Sequence, residues 1–187
     1  MPEFCVSSPV LQSRATSPLK NQTQLQKMTA ADGSIGVKLQ ERFGLAICEV
    51  AAWPDTADDV KCHLPSDAQN FEFAPSRWLV ISENQDVPST LSNAIHDAGS
   101  VIDLSHGRTV MAVSGPKATW VLAKLFAIDF QNMPDQTGLA TAHHGISVQI
   151  WRENETRFDV IVYRSFASSF WETLTKSSMD VGFEAVG

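Results

Sequence analysis

Short apolar segments alternate with amphipathic helical patterns along most of this 187-residue chain, and this alternation restricts the possible folds more than any other feature. Strand-like runs occupy 43–53 and 76–82, while helical stripes of apolar residues occupy 87–99 and 116–125. Strands interleaved with helices bury their apolar faces by packing in layers. The order of segments predicts an α+β fold with mixed or antiparallel sheets, in which two halves share a similar rhythm.

The remaining segments extend this pattern. "TADDVKCHL" predicts a short helix, "SVIDLSH" and "RTVMAVS" predict two paired strands around Gly107, and "GISVQIW" with "RFDVIVY" predicts a hairpin. A further helix is expected to be capped by Ser165. The buried stripe predicted for that helix is Ala167, Phe170, Trp171 and Leu174. "GFEAV" predicts a final short strand.

Composition separates an N-terminal segment from the rest of the chain. Residues 1–40 are rich in Ser, Thr, Gln, Lys and Pro, and their apolar residues follow no sustained period. We therefore expect a flexible arm over 1–40. One compact domain is expected over 41–187, with halves of about 41–100 and 101–187.

Charge and cysteine content exclude several classes of protein. The net charge of −7, with 14 scattered Lys and Arg residues, argues against nucleic-acid binding. No apolar run is long enough to span a bilayer and no signal peptide is recognisable, which predicts a cytoplasmic protein. Cys5, Cys48 and Cys62 offer neither a disulfide framework nor a paired-cysteine metal motif. We expect reduced thiols, with Cys48 in the core.

The segment "DLSHGRTVMAVSGPKA" places Asp103, Ser105 and His106 close together. In a strand, residues 105 and 106 point to opposite faces, which argues against a catalytic triad. The simpler interpretation is that Asp103 and Ser105 bind backbone groups in a tight turn. Gly115 and Pro116 lack the spacing of a phosphate-binding loop, so we interpret them as the start of a helix.

Two other features have alternative interpretations. His143 and His144 are adjacent but have no other ligand at a metal-binding spacing, so loop histidines are favoured over a metal site and acid–base work stays open. The chain has five tryptophans and ten phenylalanines, and several of them fall at strand or helix ends. A single core of this size is not expected to bury them all. Some of them are therefore expected at a protein interface.

Residues 101–130, followed by "TAHHGISVQIWR" and "FDVIVYRSFASSFWETL", resemble the gamma subunits of heterotetrameric sarcosine oxidases. Upstream, "SPLK", "VKLQERFGLAICEV" and "FEFAPSRWLVI" fit the same family in the same order, so the resemblance extends from about Ser17 to Phe183. Its most specific parts are D-L-S-H-G-R-T with S-G-P-x-A, and R-S-F-A-x-x-x-W. The matching residues, interpreted as structural or interface residues, are Asp103, Ser105, Arg108, Ser114, Gly115, Pro116, Arg164, Phe166 and Trp171. Among them, Arg108 is expected to contribute an interface ion pair.

The same block is similar to the tetrahydrofolate-binding aminomethyltransferases, a likeness that implies two similar α/β halves. In those enzymes a Gly-Gly hairpin carries acidic residues that handle the folate-bound carbon unit. The corresponding stretch here, "HHGISVQIW", contains no carboxylate. The resemblance thus implies no catalytic residue, cofactor or metal on this chain. His143, His144 and Arg152 are the remaining folate-side candidates.

The resemblance also implies a role. The complex would oxidise sarcosine to glycine with release of hydrogen peroxide, and with tetrahydrofolate it would form methylenetetrahydrofolate. FAD, FMN, NAD and folate would reside on larger subunits and zinc on the smallest, in keeping with the lack of a glycine-rich dinucleotide loop here. This chain would be a non-catalytic gamma subunit that contacts the alpha, beta and delta subunits, chiefly the large folate-binding alpha subunit.

Three alternatives remain open at the level of sequence. The first is a subunit of the related N-methylglutamate dehydrogenase, since nothing in this chain selects the amine. The second is a free-standing folate-binding one-carbon protein, and the third is a scaffold for a different partner. The partner-facing surface and self-association of the isolated chain are also left open.

Overall fold

The computed structural model describes residues 16–22 and 26–186, in which strands outnumber helices. The described strands, in chain order, are β1 (Gln26–Met28), β2 (Val37–Arg42), β3 (Ala46–Ala52), β4 (Gln69–Ala74), β5 (Arg77–Ser82), β6 (Gly99–Asp103), β7 (Arg108–Ser114), β8 (Thr137–His143), β9 (Ile146–Asn154), β10 (Arg157–Tyr163) and β11 (Phe183–Val186).

The helices are short. They are α1 (Ala57–Cys62), α2 (Val87–Ala94), α3 (Ala118–Leu125) and α4 (Ala167–Ser177), with 3-10 turns at Lys20–Gln22 and Arg164–Phe166. Within residues 16–22 and 26–186, none of these helices has the length and apolar character that crossing a bilayer demands.

The strands form two sheets. A seven-stranded sheet has the order β1-β11-β2-β7-β10-β9-β8, and a four-stranded sheet has the order β4-β5-β3-β6. Neighbouring strands are antiparallel except β11 and β2, which run parallel with Phe183 opposite Val37. The four-stranded sheet comes from one continuous stretch, 46–103, whereas the seven-stranded sheet combines 26–42 with 108–186.

The two sheets pack face to face, and helices cover their outer faces. Ile47 and Leu79 of the smaller sheet pack against Val110 and Ile161 of the larger one. Helices α3 and α4 cover the other face of the seven-stranded sheet, and α1 and α2 cover the other face of the four-stranded sheet. The molecule is therefore a four-layer arrangement, which confirms the predicted α+β class with mixed and antiparallel sheets.

The predicted helical stripes are buried as expected. Phe170 and Trp171 of α4 are at most 2% exposed and pack against the seven-stranded sheet. Burying each such side chain stabilises the fold by roughly 1.5–3 kcal/mol. In α3, Val121 and Leu122 are fully buried, while Leu125 is only partly buried at the margin of the same cluster.

Close approach of the two sheets depends on a glycine in β8. A Cβ atom at Gly138 would lie 2.2 Å from the ring of Phe71 in β4. The Phe71 ring in turn lies 5.9 Å from the Trp151 ring, centroid to centroid. Any larger residue at position 138 would have to displace Phe71 from between the sheets.

Several sequence predictions are corrected by the structure. The two strands around Gly107 do not pair: β6 is an edge strand bound to β3, while β7 lies between β2 and β10 of the other sheet. The turn between them carries the chain from one sheet to the other. Two backbone hydrogen bonds hold this turn, one from the Leu104 N–H to the Ile47 carbonyl and one from the Arg108 N–H to the Leu104 carbonyl. Ser165 does not cap α4, since it lies in the 3-10 turn and the cap position is Phe166.

The predicted N-terminal arm, 1–40, has a different boundary. Residues 1–15 and 23–25 lie outside the described residues. Val37 and Leu39 are buried in β2, where they alternate with exposed Lys38 and Gln40, so 37–40 belongs to the sheet. Leu19 is also fully buried in the core against the helical face.

Candidate functional site

Asp103 and Ser105 of the sequence motif hold the turn that follows β6. The Asp103 carboxylate accepts hydrogen bonds from Ser105 N–H at 2.9 Å and from Ser105 Oγ at 2.6 Å. Ser105 Oγ also accepts the Ile47 N–H at 2.9 Å. These bonds match the turn interpretation and leave Ser105 in no arrangement with His106 that resembles a triad, and His106 is exposed.

Ser114, Gly115 and Pro116 link β7 to α3. Gly115 has φ +123°, and a Cβ atom there would lie 2.5 Å from the carbonyl oxygen of Gly36. Only glycine meets both conditions without strain. The segment therefore frames the start of α3, as the sequence predicted, and its Gly115 N–H is already bound to the Thr156 carbonyl.

The second part of the motif is divided among three environments. Arg164 donates a hydrogen bond to the carbonyl of Thr16, and so ties the N-terminal segment to the end of β10. Phe166 is exposed, whereas Trp171 is 2% exposed in the main core. Only the first two are positioned to meet another molecule.

The three folate-side candidates do not converge. His143 and His144 lie at the turn between β8 and β9, whereas Arg152 pairs with Thr137 at the far end of the same hairpin. Six residues of strand separate these positions, a distance of ~20 Å at about 3.3 Å per residue. The histidines and the arginine therefore cannot bind one folate headgroup together.

The candidate side chains also make structural contacts. His143 Nδ1 lies 2.9 Å from the Leu125 carbonyl, and its ring meets Phe170 edge to face. Arg152 Nε lies 2.7 Å from Asp135, and its Nη1 donates to the Phe130 carbonyl. Both side chains thus fasten loops to the sheet.

A small cavity of about 120 Å³ collects much of the motif. Its walls come from the β2–β3 loop, the turn after β6, the start of β7 and the end of β10. The charged or titratable residues that line it are Glu41, Arg42, Asp103, His106, Arg108 and Arg164. We call this the motif cavity.

Arg108 is the buried cation of the motif cavity. It is 8% exposed, and its guanidinium lies 3.6 Å from the centroid of the Tyr163 ring in a cation–π contact. Among the described residues, no group accepts a hydrogen bond from its Nε or Nη1. The neighbouring Thr109 hydroxyl is likewise buried without a described partner.

Glu41 is the acidic counterpart in this cavity and was missed by the sequence analysis. Burial raises the pKa of its carboxyl above the ordinary value of 4.5, although a hydrogen bond from Ser17 and the charge of Arg164 act in the opposite direction. The alternation of residues in β2 could have revealed its burial, because Glu41 follows Val37 and Leu39 at alternate positions and all three point inward.

Next to the motif cavity, a wider cleft of about 520 Å³ opens between the sheets, and Arg42 lines both. Arg42 Nη1 lies 2.5 Å from Asp159 Oδ2, and Gln69 Nε2 donates to the same oxygen at 2.8 Å. Asp159 is fully buried. The cleft thus ends at a charged pair that joins β2 to β10.

Metal and thiol chemistry have little support in the described part of the chain. Residues 16–22 and 26–186 contain no group of three or more His, Cys, Asp or Glu side chains placed to hold a metal ion. Burial, with a smaller contribution from Asp103, raises the pKa of the Cys48 thiol to about 12. Cys48 therefore stays protonated and unreactive at neutral pH.

Comparison with known proteins gives likenesses in structure but none in sequence profile. No family model matches the sequence, and no curated protein matches it. The fold is similar to a chain of the heterotetrameric sarcosine oxidase from Corynebacterium sp. U-96, solved in complex with pyrrole 2-carboxylate, with a TM-score of 0.75 and 20% identity. That match covers 88% of this chain and 96% of the sarcosine oxidase chain.

A second likeness is to aminomethyltransferase T of the glycine cleavage system from Bartonella henselae, with a TM-score of 0.63 and 15% identity. It covers 90% of this chain but 57% of the aminomethyltransferase, so this chain spans little more than half of that enzyme. At these identities the likenesses establish the fold.

Proposed function

We propose that this chain is a non-catalytic subunit of a heterotetrameric sarcosine oxidase, equivalent to its gamma subunit. The observation that carries the proposal is the end-to-end match with one chain of such an oxidase, which covers 96% of that chain. The corresponding match with the aminomethyltransferase covers 57% of a longer enzyme. A chain that corresponds to a whole subunit of one assembly, and to part of an enzyme in another, is better explained as a subunit.

The arrangement of side chains supports a role without chemistry of its own. The hairpin that carries acidic residues in the resembling aminomethyltransferases has no carboxylate between His143 and Trp151. The folate-side candidates at its two ends are separated by ~20 Å and used in packing. These residues do not fit a folate site, and we assign no reaction step to them.

In the proposed complex, the larger subunits bind FAD, FMN, NAD and tetrahydrofolate and the smallest binds zinc. They oxidise sarcosine to glycine in the cytoplasm. This chain contributes shape and stability by packing chiefly against the large folate-binding alpha subunit. Its exposed aromatic side chains, which include Phe43, Trp53, Trp120 and Phe166, supply apolar surface of the kind found at protein interfaces.

An affinity pull-down of the full chain from its native cells, followed by mass spectrometry and an absorbance spectrum, tests the proposal. We expect three companion chains and a flavin spectrum that bleaches on addition of sarcosine. If N-methylglutamate bleaches the flavin and sarcosine does not, the chain is instead a subunit of the related N-methylglutamate dehydrogenase. A colourless protein recovered alone would refute the subunit role.

A matched bait makes the result specific to the folded chain. Gly115→Val places a side chain 2.5 Å from the Gly36 carbonyl oxygen at a φ of +123°. We expect this bait to lose the companion chains, because the junction between β7 and α3 cannot form without strain. Companion chains recovered equally well with Gly115→Val would mean that capture does not depend on the fold.

A further inference from the structure

We propose that the outer edge of β6 is a docking site for an extended segment of another polypeptide, which joins the four-stranded sheet as a fifth, antiparallel strand. The segment carries apolar residues at alternate positions and Lys or Arg at the positions between them. This inference stands independently of the proposed function, because it rests on the described edge and on the charges around it.

The pairing with β3 uses only half of the backbone groups of β6. Two hydrogen bonds bracket this pairing: Leu104 N–H donates to the Ile47 carbonyl at one end, and Trp53 N–H donates to the Ala98 carbonyl at the other. Both bonds follow the register of the two strands. Because every second residue of an antiparallel pair is bonded to the opposite strand, the residues of β6 bonded to β3 are those at positions 100 and 102.

The remaining backbone groups of β6 point away from the sheet. Val101 and Asp103 each direct an N–H and a C=O to this outer edge, and no strand within 16–22 and 26–186 pairs with it. The usual protections of an open edge are also missing, since Gly99–Asp103 contains no Lys and no Pro and pairs with β3 in an unbroken register. A row of outward N–H and C=O groups is what an added strand binds.

Apolar surface lies beside the same edge. Ile102 is 52% exposed, and Trp53, which follows β3, is 46% exposed. Ile102 lies opposite Glu49, on the face of the small sheet that Ile47 presents to the larger sheet. Its exposure means that the larger sheet does not cover this corner. In an added strand, the residue opposite Ile102 has its Cβ about 5 Å away, so an apolar side chain there covers it.

The charge of this corner selects the kind of partner. Residues 46–60 and 96–107 contain six Asp or Glu residues and no Lys or Arg. Glu49 is bound by Arg77 of β5, whereas the other five are exposed. A second copy paired edge to edge would bring two such acidic surfaces together, on a chain whose net charge is −7. Like charges across an interface are costly, so the occupant is a basic segment of a different polypeptide.

The geometry assigns a position to each type of residue in the segment. Residues opposite Val101 and Asp103 are bonded to β6 through their own N–H and C=O, and their side chains share a face with the Asp103 carboxylate. Residues opposite Ser100 and Ile102 point their backbone groups away from β6 and share a face with Ile102. Basic residues therefore occupy the bonded positions, and apolar residues occupy the others.

Amide hydrogen exchange of the ¹⁵N-labelled full chain, followed by NMR, tests the proposal with the peptide Ac-Lys-Val-Lys-Val-Lys-Val-Lys-NH₂. In the free chain we expect fast exchange at the Val101 and Asp103 amides and slow exchange at Ser100 and Ile102, which are bonded to β3. We expect a Kd on the order of 0.1–1 mM. At a peptide concentration about ten times Kd, exchange at Val101 and Asp103 should slow about tenfold.

Modified peptides separate strand addition from other kinds of binding. N-methylation of the two inner lysines blocks the N–H groups that face β6, and should weaken binding at least about tenfold. N-methylation of two valines blocks N–H groups that point away, and should change the affinity by no more than about twofold. The acidic peptide Ac-Glu-Val-Glu-Val-Glu-Val-Glu-NH₂ should not bind. Equal binding of either blocked form, or of the acidic peptide, would overturn the proposal.

A substitution at the edge completes the test. Ile102→Lys removes the apolar contact and places a positive charge where the basic segment docks, so binding should weaken at least about tenfold. Met179→Lys is the matched control, because Met179 is 45% exposed and lies after α4, outside this corner, and it should bind as the wild type does. If Ile102→Lys does not fold, Ile102→Thr removes the apolar contact in a milder way.

The free chain distinguishes the other possible occupants. Slow exchange at Val101 and Asp103 that becomes fast on dilution would assign the edge to a second copy of this chain. Slow exchange that does not depend on dilution would mean that the chain itself covers the edge. Either result would overturn the proposal, as would a bound peptide that leaves the exchange of these two amides unchanged.

Discussion

Breaking the ion pair between Arg42 and Asp159 should be one of the most destabilising single changes in this fold, and Arg42→Met tests it. Asp159 is fully buried in β10, and its Oδ2 lies 2.5 Å from Arg42 Nη1. Without the arginine, the hydrogen bond from Gln69 is the one side-chain partner that the described residues leave to this carboxylate. The substitution preserves most of the apolar stem, so the main change is the loss of the charge partner.

The size of the effect follows from the geometry. At 2.5 Å and an effective dielectric constant of about 20, the gross attraction is about 6–7 kcal/mol. Part of this is offset because the Arg42 side chain is only 18% exposed, so folding removes most of its hydration and the substitution abolishes that desolvation cost. We therefore expect Arg42→Met to lower the free energy of unfolding by about 3–5 kcal/mol, the usual cost of leaving a buried charge alone.

The assay is equilibrium urea unfolding with linear extrapolation, monitored by tryptophan fluorescence. Glu83→Gln is the matched control, because Glu83 also meets Arg42, at 3.7 Å, but is 88% exposed. Exposed pairs contribute about 0–1 kcal/mol, so this variant should be nearly neutral. If Arg42→Met does not accumulate in folded form, Arg42→Lys gives a milder version of the same comparison.

A second substitution tests the electrostatic explanation itself. Asp159→Asn removes the isolated charge, so the double variant Arg42→Met/Asp159→Asn should be more stable than Arg42→Met alone, with a coupling energy of about 1–3 kcal/mol. Strictly additive losses would refute the reasoning. So would a loss in Arg42→Met no larger than that in Glu83→Gln.

Three further predictions concern packing, titration and thiol reactivity. Gly138→Ala should lower the free energy of unfolding by about 1–3 kcal/mol in urea, since the new methyl group meets the Phe71 ring, and an equal stability would contradict the close sheet packing. Because burial raises the pKa of Glu41, its protonated form favours folding; that contribution is full below about pH 4.5 and is lost as the pH rises through the raised pKa. Glu41→Gln should therefore gain stability relative to the wild type between about pH 4 and pH 8, and a constant difference would argue against the shift. With the third cysteine replaced by serine, exposed Cys62 should react with a thiol reagent in the native protein, whereas Cys48 should react only after denaturation.

Local patterns were sufficient to predict most elements but not their partners. The stripes of α3 and α4 and the β9–β10 hairpin depend on neighbours in sequence, and all were predictable. Strands β4 and β8 were missed because "QNFEFA" and "TGLATAH" are dominated by polar and small residues. Their burial against one another is set by the packing of two sheets, and neither segment reveals it alone.

In the candidate site, too, the sequence revealed residues of a local motif but not contacts between distant segments. The motif brought Asp103, Ser105, Arg108 and Arg164 forward, and the structure places all four around one cavity. The ion pair that ends the neighbouring cleft could not be found in this way, since its two members are 117 residues apart.

The parallel pairing of β2 with β11 has a consequence for synthesis on the ribosome. Residues 46–103 can complete the four-stranded sheet once this stretch has emerged, because all four of its strands lie within it. β2, by contrast, emerges early and must wait for Phe183–Val186 before its outer edge is covered. Non-local pairing of this kind is slow, and an unpaired edge in the interval invites association between nascent chains. Lys38 and Gln40, which point outward along β2, are polar residues of the kind that keep such an edge soluble while it waits.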